Sequence, residues 1–285
     1  ELAGFTSGVF IHSSASSKDI ETLISSPIIQ GVSLTGSEGA GRSVAALAGK
    51  HLKKCVFELG GSDPFIVLSD ADLDTCIPLA IKGRLINNGQ SCIASKRFII
   101  HEGCYAPFME GLAKAVSELI IGDPMQEKTN LGTMASAEFK TELLKQVDQS
   151  IEEGATVYFK HPFDDSNSNF IAPIILENIP HTAPARRDEL FGPVFSCIKV
   201  SSTEEAIRIA NETAFGLGAS IWTKDIAKAQ QLAVQIESGS VFINEMVHSD
   251  VRIPFGGIKN SGYGRELAIY GMHAFVNIKT VVVNE

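Results

Sequence analysis

The chain has 285 residues, of which 44% are hydrophobic and 20% are charged, a composition typical of a globular protein with material for two domains. Acidic residues outnumber lysine and arginine by 33 to 24, and the net charge of −9 argues against a nucleic-acid partner. Apolar runs such as residues 65–68 have the length of a strand and are too short to cross a bilayer. We therefore expect neither nucleic acid nor a membrane among the partners.

Short β-branched runs alternate with longer stretches of helical periodicity, which predicts an α/β fold with a largely parallel sheet. The last apolar run, residues 280–283, predicts a strand whose exposed edge needs a partner, so we expect it to pair between subunits. The other strands are predicted at residues 7–11, 31–34, 54–57, 65–68, 97–101, 155–159, 194–200, 217–222 and 240–244. Helices are predicted at residues 19–24, 37–51, 105–119, 136–153, 203–211 and 225–236, and another is predicted to open at residues 70–73.

The cysteine pattern argues against disulfides and metal. Five cysteines without a Cys-x-x-Cys pair disfavour a disulfide framework or a zinc site and favour a reducing cytoplasm, so no metal site is predicted. Four of them have apolar neighbours and are predicted to be small packing residues: Cys55, Cys76, Cys104 and Cys197.

Cys92 differs because it ends the turn Asn-Asn-Gly-Gln-Ser-Cys, which precedes a predicted strand. A thiol in such a turn is accessible to substrate, and nearby backbone N–H groups can bind a developing oxyanion. Glu58 follows an apolar run and precedes Leu59, Gly60 and Gly61. Together the thiol and the carboxylate suggest a nucleophile paired with a base for water. A partly dry crevice would raise the pKa of the carboxylate toward neutrality, which suits that role.

A glycine-rich turn joins the predicted strand 31–34 to the following helix. Backbone N–H groups at a helix start, with glycines that permit close approach, make a phosphate site. The glycines lie at positions 36, 39 and 41, which is not the Gly-x-Gly-x-x-Gly spacing. Further along, two glycines and a proline in residues 60–64 predict a domain boundary.

Four motifs occur in the order found in the aldehyde dehydrogenase superfamily, which the chain resembles over essentially its whole length. They are Thr-Gly-Ser-x-x-x-Gly at 35–41, Glu-Leu-Gly-Gly at 58–61, Gly-Gln-x-Cys at 89–92 and Glu-x-Phe-Gly-Pro at 189–193. Residues 262–280 look most like the bacterial succinate-semialdehyde dehydrogenase branch. The resemblance implies part of a Rossmann-type cofactor domain in residues 1–60, an α/β catalytic domain in 61–262, and a return helix with an oligomerisation strand in 263–285.

This resemblance implies an oxidoreductase that converts an aldehyde, with succinate semialdehyde as the candidate, to a carboxylic acid with NAD or NADP. Cys92 would form a thiohemiacetal and then a thioester, and Glu58 would activate the hydrolytic water. Ser37 would contact the pyrophosphate, Glu189 the ribose hydroxyls and Phe191 the nicotinamide. The full set of implied cofactor residues is Gly36, Ser37, Leu59, Glu189 and Phe191.

Three residues are candidates to contact the substrate. Arg84 and Arg252 are candidates to hold a substrate carboxylate, and Phe255 is a candidate wall of the aldehyde tunnel. Some family members carry an arginine six positions before the nucleophile, where this chain has Ile86. Asn244 matches the family's Gly-x-Val-x-x-Asn segment. The resemblance also implies a homodimer or a homotetramer.

Two upstream family motifs, Pro-Trp-Asn and Lys-Pro-x-Glu, do not occur in this sequence, whose single tryptophan is Trp222. We therefore expect the chain to begin partway through the family fold. A non-catalytic oligomerising fragment and a CoA-acylating aldehyde dehydrogenase are the alternatives. Glu58 disfavours the second alternative, because relatives of that kind generally lack this glutamate. A plain cysteine hydrolase is disfavoured because none of the seven histidines lies in a motif that marks it as a partner for Cys92.

Overall fold

The computed structural model describes residues 4–166 and 168–284. The α-helices of this part are α1 Ile20–Ser25, α2 Glu38–Lys50, α3 Leu73–Leu85, α4 Glu102–Ser117, α5 Ala137–Glu152, α6 Pro184–Arg187, α7 Thr203–Asn211, α8 Ile226–Ala233 and α9 Ala268–Ala274. The strands are β1 Gly31–Thr35, β2 Lys54–Glu58, β3 Asp63–Val67, β4 Ser95–His101, β5 Thr156–Lys160, β6 Ile174–Glu177, β7 Val194–Val200, β8 Phe215–Gly216, β9 Gly218–Trp222, β10 Ser240–Ile243, β11 Ile258–Lys259 and β12 Gly262–Tyr263.

The larger sheet has seven strands in the order β10-β9-β3-β4-β7-β6-β5, and all neighbours are parallel except β5 and β6. Alternate side chains along a strand point to opposite faces, so Phe65 and Phe98 pack on one face while Ile66 and Ile99 pack on the other. Helices α3 and α4 cover the first face, and α5, α7 and α8 cover the second. Both faces of the central strands are therefore buried, as a parallel sheet requires.

The smaller sheet has three strands in the order β1-β2-β12, with β1 and β2 parallel and β12 antiparallel to β2. The chain passes from the smaller sheet to the larger one between β2 and β3, and β12 returns to the smaller sheet near the end of the chain. The three-domain division that the sequence suggests stays a prediction.

Side-chain caps mark where most of the helices begin. The predicted helix 105–119 begins three residues early, at Glu102, because the His101 side chain accepts a hydrogen bond from the Gly103 N–H at 3.1 Å. The same kind of cap, a side chain that accepts a hydrogen bond from a backbone N–H, precedes α2, α3, α5, α7 and α8, in which the capping residues are Ser37, Asp72, Ser136, Ser202 and Asp225.

The predicted strand at residues 7–11 is wrong, because these residues are exposed, lie in neither helix nor strand, and pair with no strand in the described part of the chain. Residues 280–283 are exposed and outside regular structure in the single chain, and their pairing between subunits stays a prediction. The sequence also missed β6, which lies in the larger sheet between β5 and β7. The glycine-rich stretch 254–264 contains the two-residue strands β11 and β12.

Within the described residues, no helix combines the length and the apolar character needed to cross a bilayer. The same residues contain no group of three or more histidine, cysteine, aspartate or glutamate side chains arranged to hold a metal ion. Cys76, Cys104 and Cys197 are buried in the larger sheet's core as predicted, whereas Cys55 is only half-buried.

Candidate active site

A cavity of about 540 Å³ lies where segments from both sheets meet. Its walls come from the ends of β1 and β2, the turn before β4, helix α5 and the segment before β7. It brings together all of the predicted catalytic and cofactor residues, namely Cys92, Glu58, Gly36, Ser37, Leu59, Glu189 and Phe191. We call this cavity the crevice.

The turn that carries Cys92 requires its Asn-Asn-Gly sequence. Asn87, Asn88 and Gly89 have φ values of 49°, 59° and 78°, in the left-handed region that asparagine and glycine tolerate best. A Cβ at Gly89 would lie 2.5 Å from the carbonyl carbon of Gly192, so only glycine fits there. The Asn87 side chain closes the turn by donating to the Gln90 carbonyl at 2.9 Å.

Side-chain hydrogen bonds fix this turn to the segment before α5. Gln90 accepts a hydrogen bond from the Ala135 N–H at 2.8 Å, and Asn88 accepts one from the Gly132 N–H at 2.9 Å. Cys92 itself is half-buried and lines the crevice. Burial raises the pKa of the Cys92 thiol, and the nearby positive charge of Lys96 acts in the opposite direction. The sulfur is therefore a thiol near neutral pH and needs a base to become a strong nucleophile.

Glu58 is the last residue of β2, and its side chain is buried. Neither carboxylate oxygen has a hydrogen-bond partner among the described residues. Burial, with a smaller contribution from the charge of Glu266, raises the pKa of Glu58 to about 7, although Arg265 opposes the shift. A buried carboxylate without partners in the protein is placed to bind a proton or a water molecule from the crevice.

Glu189 is held at the opposite wall by two contacts to one of its oxygens. Its Oε1 accepts a hydrogen bond from the Gly61 N–H at 2.9 Å and lies 3.3 Å from Lys96 Nζ. The sequence reasoning did not identify Lys96, although a lysine two residues before the apolar run 98–100 was a usable signal. Phe191 is half-buried, and its ring centroid lies 6.3 Å from that of Phe139 on α5.

The glycine-rich turn forms the third wall. Ser37 caps α2, and its hydroxyl accepts a hydrogen bond from the Ala40 N–H at 3.3 Å. Gly41 lets Leu59 pack on α2, since a Cβ there would lie 2.5 Å from the leucine side chain. A second cavity of about 660 Å³ shares three residues with the crevice, which are Ser37, Gln146 and Glu189. The start of α2 therefore borders both cavities.

The substrate candidates do not line the crevice. Arg84 is wholly buried and donates to the carbonyl oxygens of Leu190 and Val194, each at 2.6 Å, and to that of Gly192. Its predicted role with a substrate carboxylate is wrong, because backbone acceptors already bind the guanidinium. Arg84 instead fixes the segment that carries Glu189 and Phe191.

The other two candidates lie elsewhere, and their substrate roles stay predictions. Arg252 is exposed and forms an ion pair with Asp250, with Nε 2.9 Å from Oδ1. Phe255 is half-buried and exchanges two backbone hydrogen bonds with Glu266. Asn244, which matched a family segment, has a structural role in linking β9 to β10, because its side chain bonds both the N–H and the carbonyl of Thr223.

Comparisons with known proteins identify the family of this chain. The sequence profile of the aldehyde dehydrogenase family matches residues 1–281. A probable succinate-semialdehyde dehydrogenase (NADP(+)) from Synechocystis is 46% identical over 281 residues, which are 99% of this chain and 62% of that protein. The succinate semialdehyde dehydrogenase (NAD(P)+) Sad of Escherichia coli is 43% identical over 98% of this chain and 60% of its own length.

The crystal structure of succinic semialdehyde dehydrogenase from Streptococcus pyogenes, in complex with NADP+, superposes with a TM-score of 0.92 at 40% identity. The match covers 95% of this chain and 60% of the Streptococcus chain. The chain thus spans about three fifths of the length of the curated relatives that it matches. The predicted α/β fold is confirmed, and the family profile, the sequence identities and the shared fold together show that this chain belongs to the aldehyde dehydrogenase family.

Proposed function

We propose that the protein containing this chain oxidises an aldehyde to the carboxylic acid with NADP or NAD, through a covalent adduct on Cys92. One observation supports this function best. The Cys92 thiol lines the same crevice as Glu189, the start of α2 and the Glu58 carboxylate, which has no hydrogen-bond partner among the described residues. Succinate semialdehyde is the candidate substrate and NADP the favoured cofactor, because several relatives are named for both.

The crevice has the features that a dinucleotide requires. Gly36 and Ser37 lie at the start of α2, where backbone N–H groups and the helix dipole favour a phosphate. Glu189 exposes about a fifth of its side chain (21%), and with one oxygen bound by the protein its other oxygen is left to accept hydrogen bonds from ribose hydroxyls. Glu38 in the first turn lies 3.6 Å from Arg42, which offsets its charge near the phosphate site. When bound there, the nicotinamide would supply the hydride acceptor.

The chain's own residues perform the covalent steps. Cys92 Sγ gives its proton to solvent water and bonds to the aldehyde carbon, and the carbonyl oxygen becomes an oxyanion that the Cys92 N–H can stabilise. After oxidation the acyl group is a thioester on the same sulfur. Because the pKa of Glu58 is about 7, a large fraction of the carboxylate is ionised at neutral pH and can take a proton from water. The water oxygen bonds to the acyl carbon, the carbon–sulfur bond breaks, and Cys92 is regenerated.

Incubation of the protein that contains this chain with succinate semialdehyde and NADP, followed by mass spectrometry of the products, tests the proposal. We expect succinate from the native sequence and only background succinate from Cys92→Ala. The exposed Lys18→Ala is the control and should behave as the native sequence does. Normal succinate formation by Cys92→Ala would contradict the proposal.

The same incubation separates the two alternatives. Formation of an acyl-CoA after addition of CoA, in place of the free acid, would favour the CoA-acylating enzyme. Isothermal titration with NADP distinguishes a non-catalytic oligomerising fragment from an enzyme. For the fragment we would expect neither cofactor binding nor acid formation. Micromolar NADP binding by this chain would contradict that alternative.

A further inference from the structure

Lys96, the second residue of β4, lies directly behind the nucleophile turn and is 1% exposed. Its Nζ donates to the carbonyl oxygens of Ser91 at 2.7 Å and Cys92 at 2.8 Å, and lies 3.3 Å from Glu189 Oε1. These three partners match the three N–H donors of an ammonium group. A buried charge needs such partners because an isolated ion is strongly disfavoured in a protein interior.

The contact with Glu189 determines which carboxylate oxygen a ligand can use. Oε1 is occupied by Lys96 and by the Gly61 N–H, so Oε2 is the oxygen left for the crevice. Gly60 leaves room for Oε2, since a Cβ at that position would lie 2.6 Å from it. The orientation of the Glu189 carboxylate therefore depends directly on the ammonium of Lys96.

We propose that Lys96 is a positioning residue that holds the Cys92 turn and the Glu189 carboxylate as one unit, so that the sulfur and the cofactor-binding oxygen keep a constant separation. The inference rests on the proposed function for the role of Glu189, but the contacts of Lys96 do not depend on it. One side chain reaches two carbonyls of the turn and one carboxylate of the opposite wall, and it is the only one in the described part of the chain that does so.

The charges around Lys96 affect the pKa of the Cys92 thiol, which can be measured. The groups that act on its ammonium are Glu189, Asp63, Arg84 and the Cys92 thiol. Beyond the effect of burial, Lys96 lowers the pKa of the Cys92 thiol, whereas Glu189 and Asp63 raise it. Removal of the positive charge and removal of the negative charge should therefore shift the thiol titration in opposite directions. A residue that only filled space would not produce this pattern.

The rate of Cys92 alkylation by iodoacetamide as a function of pH, measured by mass spectrometry of the Cys92 peptide, tests the proposal without any turnover. For Lys96→Met we expect the midpoint of the alkylation profile to rise by about one pH unit. Because less of the Cys92 thiol is then ionised, the alkylation rate at neutral pH should fall about tenfold. For Glu189→Gln we expect the profile to move down. Lys199→Met, which removes an exposed lysine from neighbouring β7, should leave the profile unchanged.

NADP affinity provides the second measurement. Lys96→Met should weaken NADP binding about tenfold in the native background, but it should add little to the effect of Glu189→Gln, because the two side chains act as a unit. The double variant Lys96→Met/Glu189→Gln also removes both charges together, which a protein interior tolerates better than one unpaired charge. This variant keeps the test available if Lys96→Met alone does not fold.

An alkylation profile of Lys96→Met that matches the native one would overturn the proposal. So would a double variant that binds NADP much more weakly than Glu189→Gln alone. A chain that shows the shifted alkylation profile but forms no acid would leave the positioning role supported while contradicting the proposed function. Acid formation together with an unshifted profile would contradict only the role of Lys96.

Discussion

The two sheets contribute to one crevice but are packed very differently. All five residues of β3 and six of the seven residues of β4 are buried in the larger sheet, whereas no residue of β1 in the smaller sheet is fully buried. The larger sheet supports the nucleophile turn, and the smaller sheet supplies Glu58 and the glycine-rich turn. Cys92 therefore precedes an almost wholly buried strand, and the glycine-rich turn follows a partly exposed one.

This difference follows from how the two sheets are covered. Helices pack on both faces of the larger sheet, and the ring centroid of Phe98 lies 5.1 Å from that of Phe65 and 5.3 Å from that of Phe195. The smaller sheet has only three strands and ends in the half-buried β1. Regions with few buried apolar contacts open at a lower free-energy cost, so we expect β1 and α2 to exchange amide hydrogens faster than β3 and β4.

The largest expected effect concerns Glu58, which the smaller sheet provides despite its thinner packing. Glu58→Gln should slow thioester hydrolysis by on the order of 10²–10⁴-fold, because it removes the base that we propose activates water. In the native sequence the hydrolysis rate should rise with pH through about 7, since the carboxylate must be ionised to act and its pKa is about 7. Single-turnover measurements of the hydrolysis rate across pH would show this rising limb. In Glu58→Gln the rate should no longer rise with pH in this range.

The exposed Glu21→Gln, which replaces a carboxylate paired with Lys50 on the surface, is the matched control for Glu58→Gln. It should retain the native pH profile. A Glu58→Gln variant that kept the rising limb would show that another group activates the water.

The next effect tests the packing of the larger sheet. Phe98→Ala should lower the free energy of unfolding by about 3–5 kcal/mol, because it removes a wholly buried ring from the aromatic cluster and leaves a cavity. Urea unfolding followed by circular dichroism would measure this loss as a lower midpoint. A loss below about 1 kcal/mol would mean that the cluster collapses around the missing ring and that the packing difference between the sheets is overstated.

A smaller effect is expected at the start of α2. Ser37→Ala removes the side-chain oxygen that accepts from the Ala40 N–H, which should cost about 1 kcal/mol and should loosen the first helical turn. Hydrogen exchange of the α2 amides would detect the change, and Ser37→Asp, which restores an acceptor, should reverse it. An unchanged exchange rate in Ser37→Ala would show that the cap does not stabilise the turn.

The smallest effect is expected for Val32→Ala in β1, the counterpart of Phe98→Ala in the smaller sheet. Val32 is half-buried, so the truncation should cost only about 0.5–1 kcal/mol of unfolding free energy. The same urea experiment measures it. A loss of unfolding free energy as large as that of Phe98→Ala would contradict the difference in packing between the two sheets.

The role of buried cations could not be inferred from the sequence. Arg84 had the residue type suited to a substrate carboxylate, yet its guanidinium binds three backbone carbonyls near Glu189 and Phe191. Lys96 drew no functional prediction, although it contacts both catalytic walls. In each case the partners are distant in sequence or are backbone atoms, so no local pattern encodes them.

The sequence by itself determined the family and most of the elements. The motifs around Cys92 and Glu58 predicted the reactive groups, and hydrophobic periodicity and turn residues located most helices and strands, because these signals depend on neighbours along the chain. Only the tertiary structure decided whether a β-prone run became a strand. Residues 7–11 have the composition of a strand but no partner among the described residues, and β6 lies paired between two others. Strand formation depends on hydrogen bonds to a distant segment, and a single run of residues does not specify that segment.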